Sequence, residues 1–279
     1  MILFKRIADL TGWLKKETAA GKSTGFVPTL GALHEGHISL ITISKKVTDI
    51  TVCSIFVNPT QFNDPKDFQK YPVTLEKDIA LLEGAGADIL FLPGVSELYP
   101  TGTSDLEHYD LGSLETVLEG KYRPGHFQGV CQVMHRLLDI IRPDDLFMGQ
   151  KDYQQCMVIQ RLLRIMDLPT RLHQCPIIRE ADGLAMSSRN LRLTAAQRIN
   201  ASAIYRALLL LNEMWRIDPG SALAEADIIL KQADFQIDYI SVADAATLEP
   251  VADPANAPAV VALIAAFQGE VRLIDNMIL

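Results

Sequence analysis

The sequence predicts an α/β protein: a doubly wound parallel sheet followed by a smaller C-terminal α+β domain. Three observations carry this. Up to about residue 178, β-prone runs alternate with amphipathic helical segments, the rhythm of strand–helix–strand units. Two runs, 49–57 and 88–92, are continuously β-prone, as expected of strands covered on both faces. Beyond Arg179 the alternation gives way to consecutive helices and then strands. The expected domains are therefore 1–177 and 178–279.

Taken in order, Ile7, Leu10 and Leu14 fall on one helical face, and Gly21 is placed to end that helix. A strand then leads into Thr24-Gly-Phe-Val-Pro-Thr-Leu-Gly-Ala-Leu-His34-Glu-Gly-His37. This stretch starts apolar, breaks at Pro28 and Gly31, and sets two histidines three residues apart ahead of the helical run Ile38, Leu40, Ile41, Ile43. Strand, glycine turn and helix start form the layout in which unpaired backbone N–H groups and the helix dipole meet an anion. Histidines at i and i+3 share one face of a helical turn. The stretch reads as a phosphate cradle. The same spacing suits a metal pair, for which no third ligand stands nearby, or ordinary polarity at a helix start.

The strand over 49–57 stops at the polar turn Asn58-Pro59-Thr60-Gln61-Phe62. Residues 74–84 read as an amphipathic helix, and 88–92 as a buried strand before Pro93-Gly94. The turn-rich stretch 99–125 runs into Tyr122-Arg123-Pro124-Gly125-His126, and the helix after it carries Val130, Val133, Met134, Leu137, Leu138 and Ile141 as its stripe. A short strand, Leu146-Phe147-Met148, precedes Gly149-Gln150-Lys151-Asp152. A helix over 153–166 and a strand over 170–178 follow. Past the Asp182-Gly183 turn comes Met186-Ser187-Ser188-Arg189-Asn190, then Thr194 as N-cap of a helix running to about Trp215. Pro219-Gly220 separates it from a second helix, and 235–242 and 259–267 read as strands.

Composition narrows the partners. A net charge of −8 argues against a general nucleic-acid surface, so any phosphate needs a local basic cluster. The four cysteines (Cys53, Cys131, Cys156, Cys175) lie far apart without a Cys-x-x-Cys, which suits buried thiols in a reducing cytoplasm. The first residues lack the apolar core of a signal peptide, and the longest apolar run, 259–267, is about half of a membrane helix. A cytoplasmic location with no nucleic-acid or membrane partner is expected.

In open α/β sheets ligands bind outside the carboxyl ends of the strands. Four polar clusters follow expected strands: His34/His37, Asn58/Gln61, Gly149–Asp152 and, a little further on, Met186–Arg189. They are expected along one edge of the sheet. Lys151 offers a compact charge for a phosphate, or is a plain loop lysine. Met186–Arg189 offers two hydroxyls and a guanidinium for phosphate oxygens, or forms a polar hinge. The amides of Asn58 and Gln61 suit a small polyhydroxylated substrate, or cap their turn.

Together these motifs carry a resemblance. Pro-Thr-Leu-Gly-Ala-Leu-His-Glu-Gly-His is similar to the His-x-Gly-His signature of the nucleotidyltransferase superfamily, and Met-Ser-Ser-Arg to the second signature shared with class I aminoacyl-tRNA synthetases. With Phe-Val-Asn-Pro-Thr-Gln-Phe, Tyr-Arg-Pro-Gly-His-Phe and Gly-Gln-Lys-Asp-Tyr-Gln-Gln, the whole chain resembles the pantoate–β-alanine ligase family. The resemblance implies a Rossmann-like first domain for nucleotide and pantoate, and a C-terminal lid. It implies ATP-dependent joining of pantoate and β-alanine through a pantoyl-adenylate, with Mg²⁺, in a cytoplasmic homodimer. By the same carry-over Leu30, Gly31, Ala32, Leu33, His34, Glu35, Gly36 and His37 line the ATP site. Gly149, Gln150, Lys151, Asp152, Ile178, Met186, Ser187, Ser188 and Arg189 complete it, and His34, His37 and Lys151 act on the phosphates. Gln61 and Gln155 would hold pantoate, Gln61 also lying near β-alanine. Asn58 and Arg123 are carried as further substrate contacts, and Asp78 as a residue near the metal. Leu30 stands where methionine is usual, a volume-conserving change. Gln150 replaces a usual glutamate and removes a negative charge beside Lys151. Two other readings remain at this point: a nucleotidyltransferase that leaves the nucleotide on its product, and a nucleotide-sensing module without turnover.

Overall fold

A computed structural model of the chain describes residues 1–62, 68–104, 106–251, 253–254 and 256–279. Of the turn-rich stretch 99–125, Asp105 lies outside the described residues. By its internal contacts the chain divides into two units. One is Met1–Gly149 with Gln155–Pro176; the other is Gln150–Gln154 with Ile177–Leu279. The division is not a single cut, because a five-residue stretch groups with the later part of the chain.

The first unit holds β1 (Ile2–Phe4), α1 (Ile7–Ala19), β2 (Thr24–Thr29), α2 (Glu35–Val47), β3 (Ile50–Ile55), α3 (Leu75–Gly84), β4 (Ile89–Phe91) and α4 (Val95–Leu98). After these come α5 (Leu118–Tyr122), α6 (His126–Ile141), β5 (Asp145–Gly149), most of α7 (Tyr153–Ile165), and β6 (Arg171–Cys175). The six strands form one parallel sheet in the order β1-β4-β3-β2-β5-β6. From the central β2 the chain moves outward through β3 and β4, then returns to place β5 on the other side of β2. The order of winding therefore reverses between β2 and β5, the position where such sheets open a crevice at the carboxyl ends of their strands.

Side-chain alternation explains why both faces are buried. Phe26 of β2 and Val52 of β3 join a core with Leu10, Leu14, Val130, Leu137 and Leu162, under α1, α6 and α7. Their chain neighbours Val27 and Cys53 join the opposite core with Leu40, Ile41 and Leu82, under α2 and α3. A period of two in the strands thus serves two helical layers. At the start of β5, the buried Asp145 is held by Arg171, its register partner on β6, at 2.9 and 2.8 Å, and by His173 at 2.7 Å. Burial acts to raise that carboxyl, but the Arg171 and His173 hydrogen bonds outweigh it and hold the group below the usual range.

The second unit carries α8 (Ala195–Ala201), α9 (Ala203–Met214), α10 (Pro219–Gln232) and the antiparallel sheet β7 (Phe235–Asp244), β8 (Val260–Gln268), β9 (Val271–Ile278), in the order β7-β8-β9. Thr194 caps α8 as expected, in a reciprocal box with Gln197. The single helix expected to run to Trp215 is instead interrupted at Ser202. Ala207, Leu208, Leu211, Ala222, Ala226 and Leu230 pack with Val260, Ala262, Ile264 and Ala266 of β8 into one core. Among the described residues no helix is long and apolar enough to cross a membrane.

Candidate active site

At the carboxyl end of β2 the chain turns through Gly31 (φ 86°) and Ala32 (φ 50°). The left-handed region is costly for alanine and calls for a restraint. Asp78, on α3, supplies it. Its Oδ2 accepts the Ala32 N–H at 2.9 Å, and its Oδ1 accepts the Leu33 N–H at 2.8 Å and the Thr74 hydroxyl at 2.9 Å. At 1% exposure, with both oxygens engaged, Asp78 is a brace for the turn, and its geometry does not support the metal role expected from the sequence. No group of three His, Cys, Asp or Glu suited to a metal occurs among the described residues.

The turn delivers His34 as the N-cap of α2. Its Nδ1 accepts the Gly36 N–H at 3.1 Å, while the His34 N–H is donated to His37 Nδ1 at 3.4 Å. The two rings lie 4.1 Å apart between centroids at 36°. Here the structure corrects an expectation. The N–H groups of Ala32 and Leu33 are spent on Asp78, and those of His34 and Gly36 on the histidine rings, so none of the four is held open for an anion. An Nδ1 that accepts carries no proton, so in a neutral ring the proton stands on Nε2.

One strand over, β3 leads into the turn at Pro59–Gln61. Asn58 is fully buried, and its amide is completely used: Nδ2 donates to the Gly129 carbonyl at 3.0 Å and to Gln61 Oε1 at 3.3 Å, while Oδ1 accepts from Tyr99 and Thr60. Asn58 therefore shapes the turn and does not reach a substrate itself, which revises its expected part. Gly129 is required by close approach, since a Cβ there would run into the Thr60 backbone. His126 Nδ1 lies 2.8 Å from the Gln61 carbonyl, and Arg123 Nη1 lies 3.1 Å from His126 Nε2. A carbonyl only accepts and a guanidinium only donates, so His126 is protonated on Nδ1. Arg123, also 3.8 Å from Glu119, supports the turn through His126. Gln155, the third residue of α7, is half-buried in this same unit. The ends of β3 and β2 are neighbours in the sheet, so the histidine and Asn58/Gln61 clusters follow adjacent strand ends.

The second unit holds the remaining residues. Asn276 of β9 donates through Nδ2 to the carbonyls of Gln150 and Lys151, each at 2.9 Å, and its Oδ1 accepts from Gln150 Nε2 at 3.2 Å. The glutamine that departs from the usual glutamate is thus a donor in a paired-amide clamp, a role no carboxylate could fill. Lys151 is left with an 18% exposed side chain, its Nζ 4.0 Å from Asp152. Ile178 and Met186 pair across a hairpin (Met186 N–H to Ile178 carbonyl, 2.9 Å) that turns at Gly183. Its Arg179 lies 4.3 Å over the Tyr205 ring and forks onto the buried Asp275. Beyond it Ser187 caps the 3₁₀ turn Ser188–Arg192, accepting the Arg189 N–H at 3.3 Å, so the Ser-Ser-Arg motif rides on a braced turn. Tyr99, Gly129, His126 and Asn276 are the supporting residues that motif reading passes over; only His126 stood inside a quoted motif.

A doubly wound sheet with polar loops at its β2/β5 reversal, one opening a helix capped by paired histidines, defines an α/β protein of the nucleotide-handling kind. The family model described as pantoate-beta-alanine ligase matches residues 2–278, and the chain belongs to that family. Pantothenate synthetase of Cytophaga hutchinsonii is 43% identical over 283 residues, covering 100% of this chain and 99% of its own. That of Bacteroides thetaiotaomicron is 42% identical, covering 99% and 98%. The crystal structure of pantothenate synthetase from Thermus thermophilus superposes with a TM-score of 0.88 at 39% identity over 99% of both chains. A pantoate-beta-alanine ligase from Francisella tularensis, complexed with beta-gamma ATP and β-alanine, gives 0.84 at 37%, over 99% of this chain and 97% of that one.

Proposed function

We propose that this ligase joins (R)-pantoate to β-alanine in two steps, forming a pantoyl-adenylate with release of pyrophosphate and then displacing AMP with the amine. The observation that carries the reading is the histidine-capped start of α2 beside the β2/β5 reversal, where the paired rings lie 4.1 Å apart. The first step needs no general base, because pantoate's carboxylate is ionised at neutral pH. It needs in-line placement and cancellation of charge on the α-phosphate and the departing pyrophosphate. We assign that work to His34, His37, Lys151, Ser187 and Arg189, with Leu30–Leu33, Glu35, Gly36, Gly149, Gln150, Asp152, Ile178, Met186 and Ser188 lining the nucleotide. Gln61 and Gln155 take pantoate, and Gln61 also faces β-alanine. Magnesium fits as a companion of the triphosphate, held by phosphate oxygens and water, since Asp78 has its oxygens committed. A cytoplasmic location agrees with four buried cysteine thiols, and a homodimer is the family's expectation.

Leaving out pantoate or β-alanine in turn, with AMP measured, tests the reading: AMP should require both. A stable nucleotidyl conjugate in place of free AMP would point to a nucleotidyltransferase. Lys151→Ala should lose about 2–4 kcal/mol of transition-state stabilisation, as lost oxyanion donors do, while the fold survives. Near-normal pyrophosphate release by this variant would remove Lys151 from the mechanism.

A further inference from the structure

Tyr99 directly follows α4, is 2% exposed, and belongs to none of the motifs. We infer that Tyr99 is a positioning residue for the pantoate site: acting through Asn58, its hydroxyl fixes which end of the Gln61 amide faces the substrate. The inference rests on the assignment of Gln61 to pantoate.

The argument is one of donors and acceptors. The Gly129 carbonyl, which can only accept, lies 3.0 Å from Asn58 Nδ2 and pins the nitrogen end of that amide toward α6. The Tyr99 hydroxyl lies 2.9 Å from the opposite end, Oδ1, and therefore donates. Other partners of Oδ1 come from its own turn and are longer: Thr60 N–H at 3.4 Å and Thr60 hydroxyl at 3.2 Å. The short bond from Tyr99 thus ties the amide to the sheet side of the fold. Its ring is held by the Arg136 guanidinium, 4.8 Å away, and by Phe56, 6.3 Å between centroids. Burial pushes the phenol above its ordinary value, so it stays a donor across the working range of pH.

With Asn58 oriented at both ends, its second N–H goes to Gln61 Oε1 at 3.3 Å. That commits the carbonyl end of Gln61 inward and turns its NH₂ outward. Two N–H donors match the carboxylate and hydroxyl oxygens of a hydroxy acid, whereas a reversed amide would set a carbonyl oxygen against that carboxylate. Orientation of one amide thereby becomes selection for an anionic, hydroxylated acid.

Tyr99→Phe removes only the hydroxyl. It should raise KM for pantoate about three- to ten-fold, the worth of one neutral hydrogen bond, and leave KM for ATP unchanged. In a Gln61→Ala background the same substitution should add nothing, because the relay then has no terminus. An unchanged pantoate KM in Tyr99→Phe, or its full penalty repeated without Gln61, overturns the relay while leaving the Gln61 assignment standing. Gln61→Ala with pantoate KM untouched overturns both.

Discussion

Asp78 shows how much one side chain can organise. It joins α3 to a loop 45 and 46 residues earlier in the chain and holds Ala32 in a conformation that alanine avoids. Asp78→Asn keeps one accepting oxygen but turns an NH₂ against a backbone N–H. It should destabilise the protein by about 1–3 kcal/mol and raise KM for ATP with pantoate saturating. Denaturant titration reads the first effect and steady-state kinetics the second; wild-type values in both would mean the loop holds itself. Asp78 entered through the family resemblance, as a residue near the metal, and its bracing of the loop was not legible in the sequence. Spacing identifies residues that share a helical face, whereas the partners here are backbone groups of a distant loop. The same limit applies to Asn58, whose motif is easy to read but whose partners, Tyr99 and Gly129, lie 41 and 71 residues away.

At the level of elements, periodicity located the strands and helices that are long and apolar and missed those that are short or polar: the short helices α4 and α5, and the strands β1 and β9. β1 has only three residues, too few to show a period. β9 carries Asp275 and Asn276 at 3% and 2% exposure, so polar groups occupy buried positions and break the alternation that marks a strand. These two residues hold Arg179 and the Gln150–Lys151 turn, so the departure from pattern coincides with support of the proposed site. The Ile178–Met186 hairpin offers a test at this scale. Gly183 has φ 90°, and a Cβ there would enter the Tyr205 ring. Gly183→Ala should cost at least about 1–3 kcal/mol, the range for a non-glycine residue held in a disfavoured conformation. Thermal unfolding should shift accordingly, and kcat should fall with it if Met186–Arg189 works as assigned. A variant with the wild-type midpoint would show that the ring simply moves aside.

For the whole molecule, alternation announced the α/β class and the change of pattern past Arg179 announced a second unit, but strand order was out of reach. Nothing local tells β5 to return beside β2; that follows from long-range pairing and burial of two faces. One global property can be measured directly. Burial pushes the Cys53 and Cys131 thiols up to about 12 and the Cys175 thiol up to about 11, so none of the three presents thiolate near neutrality. All four cysteines are buried. Iodoacetamide at about pH 8 should leave the native chain unlabelled while modifying all four sites in denaturant, so labelling reports opening of the fold. Rapid labelling of any cysteine in the native protein would contradict this.

The amide clamp on Lys151 has a consequence for biosynthesis. Asn276 is 125 residues downstream of the lysine whose carbonyl it holds. On the ribosome the Gly149–Asp152 turn is made well before β9 and must wait for it before its backbone is fastened. A nascent chain therefore carries Lys151 on an unfastened turn until Asn276, 125 residues later, has been added and β9 can pair.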